Sequence, residues 1–212
     1  MNQADIEQTF FRDIAMHKMT VLRDNGVNRH LRFRREGSSS YCFDIVTWHG
    51  HLAITGDMGA DMFFRLNDML AFFRTDTERV KHMGVRLCIN PDYWAEKLVA
   101  IDRGGYKKYS AEIFKAAVKF AFDGMTDDWT PEKKDELWEE VENDVLAHAD
   151  DEHEACRAAY NFEFEGTRFE DFYENNMEEP TFHYIWRCFA IAWAIEQYDK
   201  HKTAGALAAT AP

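Results

Sequence analysis

His148, Glu152 and Cys156 recur at intervals of four, a spacing that stacks side chains on one face of a continuous helix. All three residue types ligate zinc. His153 lies five residues from His148, however, not the four of a paired-histidine metal helix, and such residues are expected by composition in a segment this polar. A second group is Asp44, His51, Asp57 and Arg65, gathered around Thr47-Trp48-His49-Gly50-His51. A carboxylate that orients an imidazole serves base catalysis, provided the strand register brings the two together. No Ser or Cys stands in a strained G-x-S-x-G turn that would make it a nucleophile. Gly56-Asp57-Met58-Gly59 matches neither a Walker loop nor a dinucleotide fingerprint, and Asp57 would repel an anion. Its glycines read as a tight turn, with Asp57 or Asp61 capping a following helix. No catalytic residue, metal ligand or cofactor is therefore assigned. The rival reading is a small enzyme or ligand-binding protein whose polar site is Asp44, His51, Asp57 and Arg65.

These residues need elements to hold them. Apolar residues at Ile6, Phe10 and Ile14 give the period of an amphipathic helix. Asn25-Gly26 supplies the positive φ of a type I′ turn and predicts a hairpin, with Leu31 and Phe33 alternating against Arg32 and Arg34. Tyr41 to Trp48 and His51 to Thr55 predict a second hairpin, so four antiparallel strands are expected. A helix is then expected from Asp61 to Arg74, on the stripe Phe63, Leu66, Leu70 and Phe73. Residues 85–89 read as a short strand or buried coil, and Asn90-Pro91-Asp92 as a helix start. From Ser110 onward the pattern is helical. The last helix, Thr181 to about His201, is apolar nearly all round and belongs in a core. Among the charged segments Trp138 reads as part of a buried stripe with Leu137, Val141 and Val145, while Phe162 and Phe164 alternate with Glu163 and Glu165 as an edge strand or interaction loop.

The predicted class is α+β: a small N-terminal antiparallel sheet, two hairpins in series, packed with a mostly helical C-terminal part. One domain is expected over 1–203, its sheet-bearing part about 1–105 and its acidic helical part about 106–203, with a disordered tail at 204–212. No apolar run approaches the ~20 residues of a membrane span, and the N-terminus lacks a cationic segment ahead of an apolar one. Four dispersed cysteines form no CxxC pair and read as free thiols.

The net charge of −13 is unevenly placed. Residues 1–122 carry 18 Lys+Arg against 15 Asp+Glu, whereas residues 123–180 carry 4 against 21. An acidic helix face through Glu132, Asp135, Glu139 and Glu142 is the candidate partner surface, suited to a protein with a basic groove. Direct DNA binding by this block is excluded, because neutralising phosphates supplies that affinity. The basic cluster Arg29, Arg32, Arg34 and Arg35 is expected to pair with the acidic block.

The run Phe43-Asp44-Ile45-Val46-Thr47-Trp48-His49-Gly50-His51-Leu52, then Gly56-Asp57-Met58-Gly59, Phe63, Arg65, Asp68-Met69 and Phe72-Phe73-Arg74, resembles a family of proteins encoded by tailed bacteriophages and prophages. Asp24-Asn25-Gly26-Val27, His30-Leu31-Arg32-Phe33, Asn90-Pro91, Tyr93-Trp94, Lys97, Thr181-Phe182-His183 and Trp186 fit the same pattern. His49 departs from it, standing where a proline is usual. The family carries no established activity. The resemblance implies a phage accessory protein of the bacterial host cytoplasm that binds a host or competing-phage protein, with counter-defence inhibition by nucleic-acid mimicry as its sharpest form.

Overall fold

A computed structural model describes residues 2–74 and 86–209. The chain divides into two compact units: 1–106 with 180–212, and 107–179. The architecture is α+β, with a sheet of antiparallel hairpins in the N-terminal half followed by mostly helical chain.

The first unit opens with α1 (Gln3–Asp13), whose start is fixed by a reciprocal capping box between Asn2 and Asp5. Six strands follow in sequence order across one sheet: β1 (Lys18–Asn25), β2 (Asn28–Arg34), β3 (Phe43–Trp48), β4 (His51–Gly56), β5 (Gly59–Phe64) and β6 (Leu98–Ile101). Gly26 at φ +59° makes the first turn, as the Asn-Gly pair predicts. Between Val21 and Arg23 the β1–β2 register shifts by one residue, so Leu22 is a bulge. Leu31, Phe33, Phe43, Ile45, Leu52, Ile54 and Phe63 alternate onto the inner, buried face.

The helix expected from Asp61 to Arg74 is instead strand β5 followed by the short α2 (Met69–Phe73), which Asp68 caps rather than Asp57 or Asp61. In β5 Asp61 and Phe63 point inward, while Met62 and Phe64 point outward. A charged residue on the inner face conceals this alternation. Leu87, Cys88 and Ile89 are buried coil; Val85 lies outside the described residues. Helix α3 (Pro91–Ala95) starts at Asn90 as expected.

The expected single division at about residue 105 is corrected by the last helix, α7 (Phe182–Ala209), which belongs to the sheet-bearing unit. Every residue from Tyr184 to Ile195 is buried. A helix apolar on all sides needs enclosure, and here it shares one core with α1, α2 and the inner sheet face. Trp186 meets Phe10 edge-on at 5.1 Å and donates its indole N–H to Asp13. Helix α7 also continues through residues 204–209, where a disordered tail was expected; residues 210–212 lie outside the described residues.

The second unit, 107–179, leaves and rejoins the first through the paired strands β7 (Lys107–Tyr109) and β8 (Glu178–Pro180). Its helices are α4 (Ala111–Met125), α5 (Pro131–Asp144) and α6 (Glu152–Asn161), with 3₁₀ turns at Leu146–His148 and Phe172–Glu174. They bury a separate core that includes Phe114, Val118, Leu137, Val141, Phe162 and Phe172.

Candidate functional site

The charge asymmetry follows this division. The second unit carries 8 Lys+Arg against 22 Asp+Glu, a net of −14, and the first carries 17 against 16. Within the acidic unit, six of its cations are engaged by its own carboxylates: Lys108–Glu179, Lys115–Glu112, Lys119–Asp123, Lys133–Glu165, Arg157–Glu154 and Arg168–Glu163. The excess negative charge is therefore left uncompensated within the unit.

Helix α5 presents much of that excess. Thr130 caps it, Pro131 occupies its first turn, and Leu137 and Val141 face the core. Glu132, Asp135, Glu139 and Glu142, at intervals of three, four and three, are all exposed on the opposite side. Glu132, Asp135 and Glu139 make no hydrogen bond or ion pair among the described residues. Glu142 is different: it accepts a 2.7 Å bond from the indole N–H of Trp138, whose ring packs edge-on against Phe122 at 4.8 Å. Glu136 and Glu140 lie beside the four, so carboxylates sweep an arc of about 160° at 3.6 residues per turn.

The four residues of the rival polar site are not brought together. Asp44 stands opposite Thr55, whereas His51 stands opposite Trp48, at the other end of the same strand pair. Four strand residues separate those two rows, about 13 Å. His51 stacks on Trp48 with ring centroids 4.9 Å apart. Asp57 lies in the β4–β5 turn and accepts a bond from the Tyr41 amide. Arg65 is exposed beyond β5, its amide bonded to the Gly50 carbonyl. Asp44 itself is occupied: Arg32 donates two bonds to it, at 3.0 and 2.8 Å, and His30 lies 2.7 Å away. Burial opposes its ionisation, but Arg32 and His30 outweigh that and hold its carboxyl below the usual carboxylate range.

Three members of the arginine cluster, Arg29, Arg32 and Arg35, find partners within their own unit rather than in the acidic block, and Arg34 has no carboxylate partner among the described residues. Arg29 forms a two-bond pair with Asp68 at 2.9 Å and lies 4.0 Å from Asp24; Arg32 holds Asp44; Arg35 donates to Ser38. Hairpin register sets Arg29 beside Asp24 on β1 and Arg32 beside Asp44 on β3, while Asp68 at the start of α2 and Ser38 in the β2–β3 loop supply the other partners.

His148, Glu152 and Cys156 do not share one helix. His148 ends a 3₁₀ turn, and Asp151 then caps a new helix by accepting from the Glu154 amide. Among the described residues no group of three or more His, Cys, Asp or Glu is arranged to hold a metal ion. Burial and the neighbouring Glu152 push the Cys156 thiol up, away from the thiolate a nucleophile requires. Phe164 makes an isolated bridge to Thr167, so this stretch is a small turn within a loop rather than an edge strand.

No family model, curated protein or solved structure matches this chain. Its function must therefore be argued from its own surface. Among the described residues no helix is long and apolar enough to cross a membrane.

Sequence reasoning found the acidic face but missed two features. Glu136 and Glu140 extend it, as the successive steps of four from Glu132 reveal once Leu137 and Val141 are fixed as the core side. The other is a basic corner on the outer face of the sheet, set by the Leu22 bulge, which sequence alone does not show.

Proposed function

We propose that this protein is a non-enzymatic accessory protein that binds a basic protein partner through the acidic helical unit. The observation that carries the reading is the carboxylate face of α5, on which Glu132, Asp135 and Glu139 have no partner among the described residues, in a unit where six of the eight cations are engaged by other carboxylates. Aligned like charges weaken a helix by a few tenths of a kcal/mol per i,i+4 pair, so a face of this kind works against stability unless it serves something else.

Charge density supports the sharper form of the proposal. Glu132 to Glu142 spans about 15 Å of helix, and the six carboxylates Glu132, Asp135, Glu136, Glu139, Glu140 and Glu142 average one per roughly 3 Å. One strand of DNA carries one phosphate per about 3.4 Å. A protein groove built to hold a nucleic-acid strand thus meets a similar linear charge on α5. The resemblance to phage and prophage proteins supports a partner in the bacterial host cytoplasm, a host or competing-phage protein, with counter-defence inhibition as the biological outcome.

The test is capture from bacterial lysate by the wild type and by the triple variant Glu132→Lys, Asp135→Lys, Glu139→Lys. Glu142 is spared because its bond to Trp138 makes it part of the packing. The expected result is a partner released by salt and by added nucleic acid, and lost in a variant that melts normally. A normally melting variant that captures the same partner undiminished overturns the reading.

A further inference from the structure

The outer face of the sheet carries a feature of opposite sign. Lys18 of β1 and Arg34 of β2 stand directly opposite one another. The alternation that buries Leu31 and Phe33 sends Arg32 and Arg34 outward, so both opposed cations share the outer face. Like charges at opposed strand positions repel. Neither Lys18 nor Arg34 has a carboxylate partner among the described residues. Asp44, an acidic side chain on this face, is already held by Arg32 and His30.

A cavity of about 530 Å³ opens at this corner, with Arg32, Arg34, Ser38, Ser39, Asp44 and Thr55 in its wall. Ser38 Oγ accepts from Arg35 and from the Ser40 amide, which leaves its own O–H free to donate. The Ser39 and Thr55 hydroxyls have no side-chain hydrogen bond among the described residues. The wall thus offers an unpaired guanidinium and several hydroxyl donors, with its one carboxylate satisfied. That set suits an oxyanion, and a guanidinium matches phosphate through two parallel bonds. The volume falls within the ~300–1,000 Å³ of ordinary ligand pockets, more than a bare phosphate ion needs.

We propose that this corner binds a phosphate ester, with Arg34 of the cavity wall as its charge partner, Ser38, Ser39 and Thr55 as hydroxyl donors, and Lys18, outside the wall but opposite Arg34 on the adjoining strand, adding to the local positive charge. The proposal stands on the first unit and is independent of the acidic face. The ester has two possible sources: a free nucleotide-sized molecule, or the backbone of a single strand. A strand would extend along the same outer face to the Trp48–His51 stack, where Phe64 is 50% exposed, and an aromatic row is what bases stack on.

The experiment is calorimetric titration of the full-length protein with inorganic pyrophosphate and, separately, with a single-stranded thymidylate octamer. Saturable pyrophosphate binding that weakens at least tenfold in the Lys18→Gln, Arg34→Gln double variant supports the proposal. Arg34→Gln alone, at an exposed position, gives the same readout if the double variant melts early. An octamer that binds more tightly than pyrophosphate and loses affinity in Trp48→Ala, with pyrophosphate unaffected, identifies a nucleic-acid strand as the source. An octamer insensitive to Trp48→Ala identifies a free ester. Absence of saturable binding of either probe up to on the order of 10 mM, or binding unchanged in the glutamine variants, overturns it.

Discussion

Arg187 in α7 donates two hydrogen bonds to Asp61 in β5, at 2.6 and 2.9 Å, across 126 residues of sequence. Both side chains are enclosed, at 1% and 0% exposure. Arg187 Nη1 also donates to the Met58 carbonyl at 2.6 Å and to Asp102 at 2.9 Å. Burial, which outweighs Arg187, together with the charge of Asp102, pushes the Asp61 carboxyl above the usual carboxylate range. Gly59, at φ +95°, sits where any added Cβ would collide with the Asp102 carboxylate, so the turn can approach this cluster only as glycine.

Removing one partner of such a pair leaves the other buried and unsatisfied. Arg187→Met is expected to cost about 3–5 kcal/mol in urea unfolding. The double variant Arg187→Met, Asp61→Leu is expected to recover part of that loss, because neither side then buries an uncompensated charge. A double variant as unstable as the sum of both singles would show that the two residues act separately.

Trp186 is fully buried and packs on Phe10, Phe43 and Tyr41. Trp186→Ala is expected to destabilise by about 3–5 kcal/mol, the range of large aromatic truncations in a core. Trp193, 9% exposed, contacts Phe33 at 5.3 Å and should fall in the same range. Thermal melting checks both; an unchanged melting temperature would remove α7 from the core.

Acid should weaken the first unit through its paired aspartates. Burial opposes ionisation of Asp24, Asp44 and Asp68, yet their basic and hydrogen-bonding partners outweigh it and hold all three folded-state pKa values below normal. A depressed carboxyl contributes stability that is present above its unfolded value, near 4, and is lost as pH falls through the folded value. Wild type and Asp44→Asn should therefore differ in stability at pH 7, begin to approach one another below about pH 4, and converge only once pH has fallen through the depressed folded value. An equal difference at pH 7 and below that folded value would count against an ionised Asp44 as the source.

The second unit should be dispensable for the first. The Thr181 amide donates to the Tyr106 carbonyl at 2.8 Å, and Thr181 Oγ1 donates to the Gly105 carbonyl, so the ends of the excursion already meet. Replacing Lys107–Glu179 by a short neutral Gly-Ser linker is expected to leave a cooperatively melting protein whose net charge is near +1. Loss of the melting transition would show that the first unit needs the second.

Legibility in the sequence tracked the range of the forces involved. The Asn25-Gly26 turn, the apolar α7 and the acidic face of α5 each rest on local spacing, and each was readable. Strand β5 was not, because Phe63, Leu66, Leu70 and Phe73 also satisfy a helical period, and because Asp61 occupies an inward position. Its justification, Arg187, lies at the far end of the chain. The four residues of the rival polar site were close in sequence, but register placed Asp44 and His51 at opposite ends of one strand pair. The Lys18–Arg34 opposition depends on the extra residue at Leu22; without it Lys18 would face Arg35.

The discontinuous first unit also fixes an order of events at the ribosome. The sheet, α1 and α2 are complete in the emerging chain while the helix that covers their apolar face is still unmade. About 75 residues separate Tyr106 from Thr181, which at roughly 5–20 residues per second takes about 4–15 s. Helix formation occurs in about a microsecond, so each helix of the acidic unit can form as it emerges, while its core closes only once Phe169, Phe172 and Met177 are made, just ahead of α7. A highly charged segment is thus tethered to a half-built core while Phe33, Phe43, Ile45 and Ile54 await α7. Net charge of that size opposes association, so the excursion is expected to disfavour self-association of its incomplete neighbour until the final helix arrives.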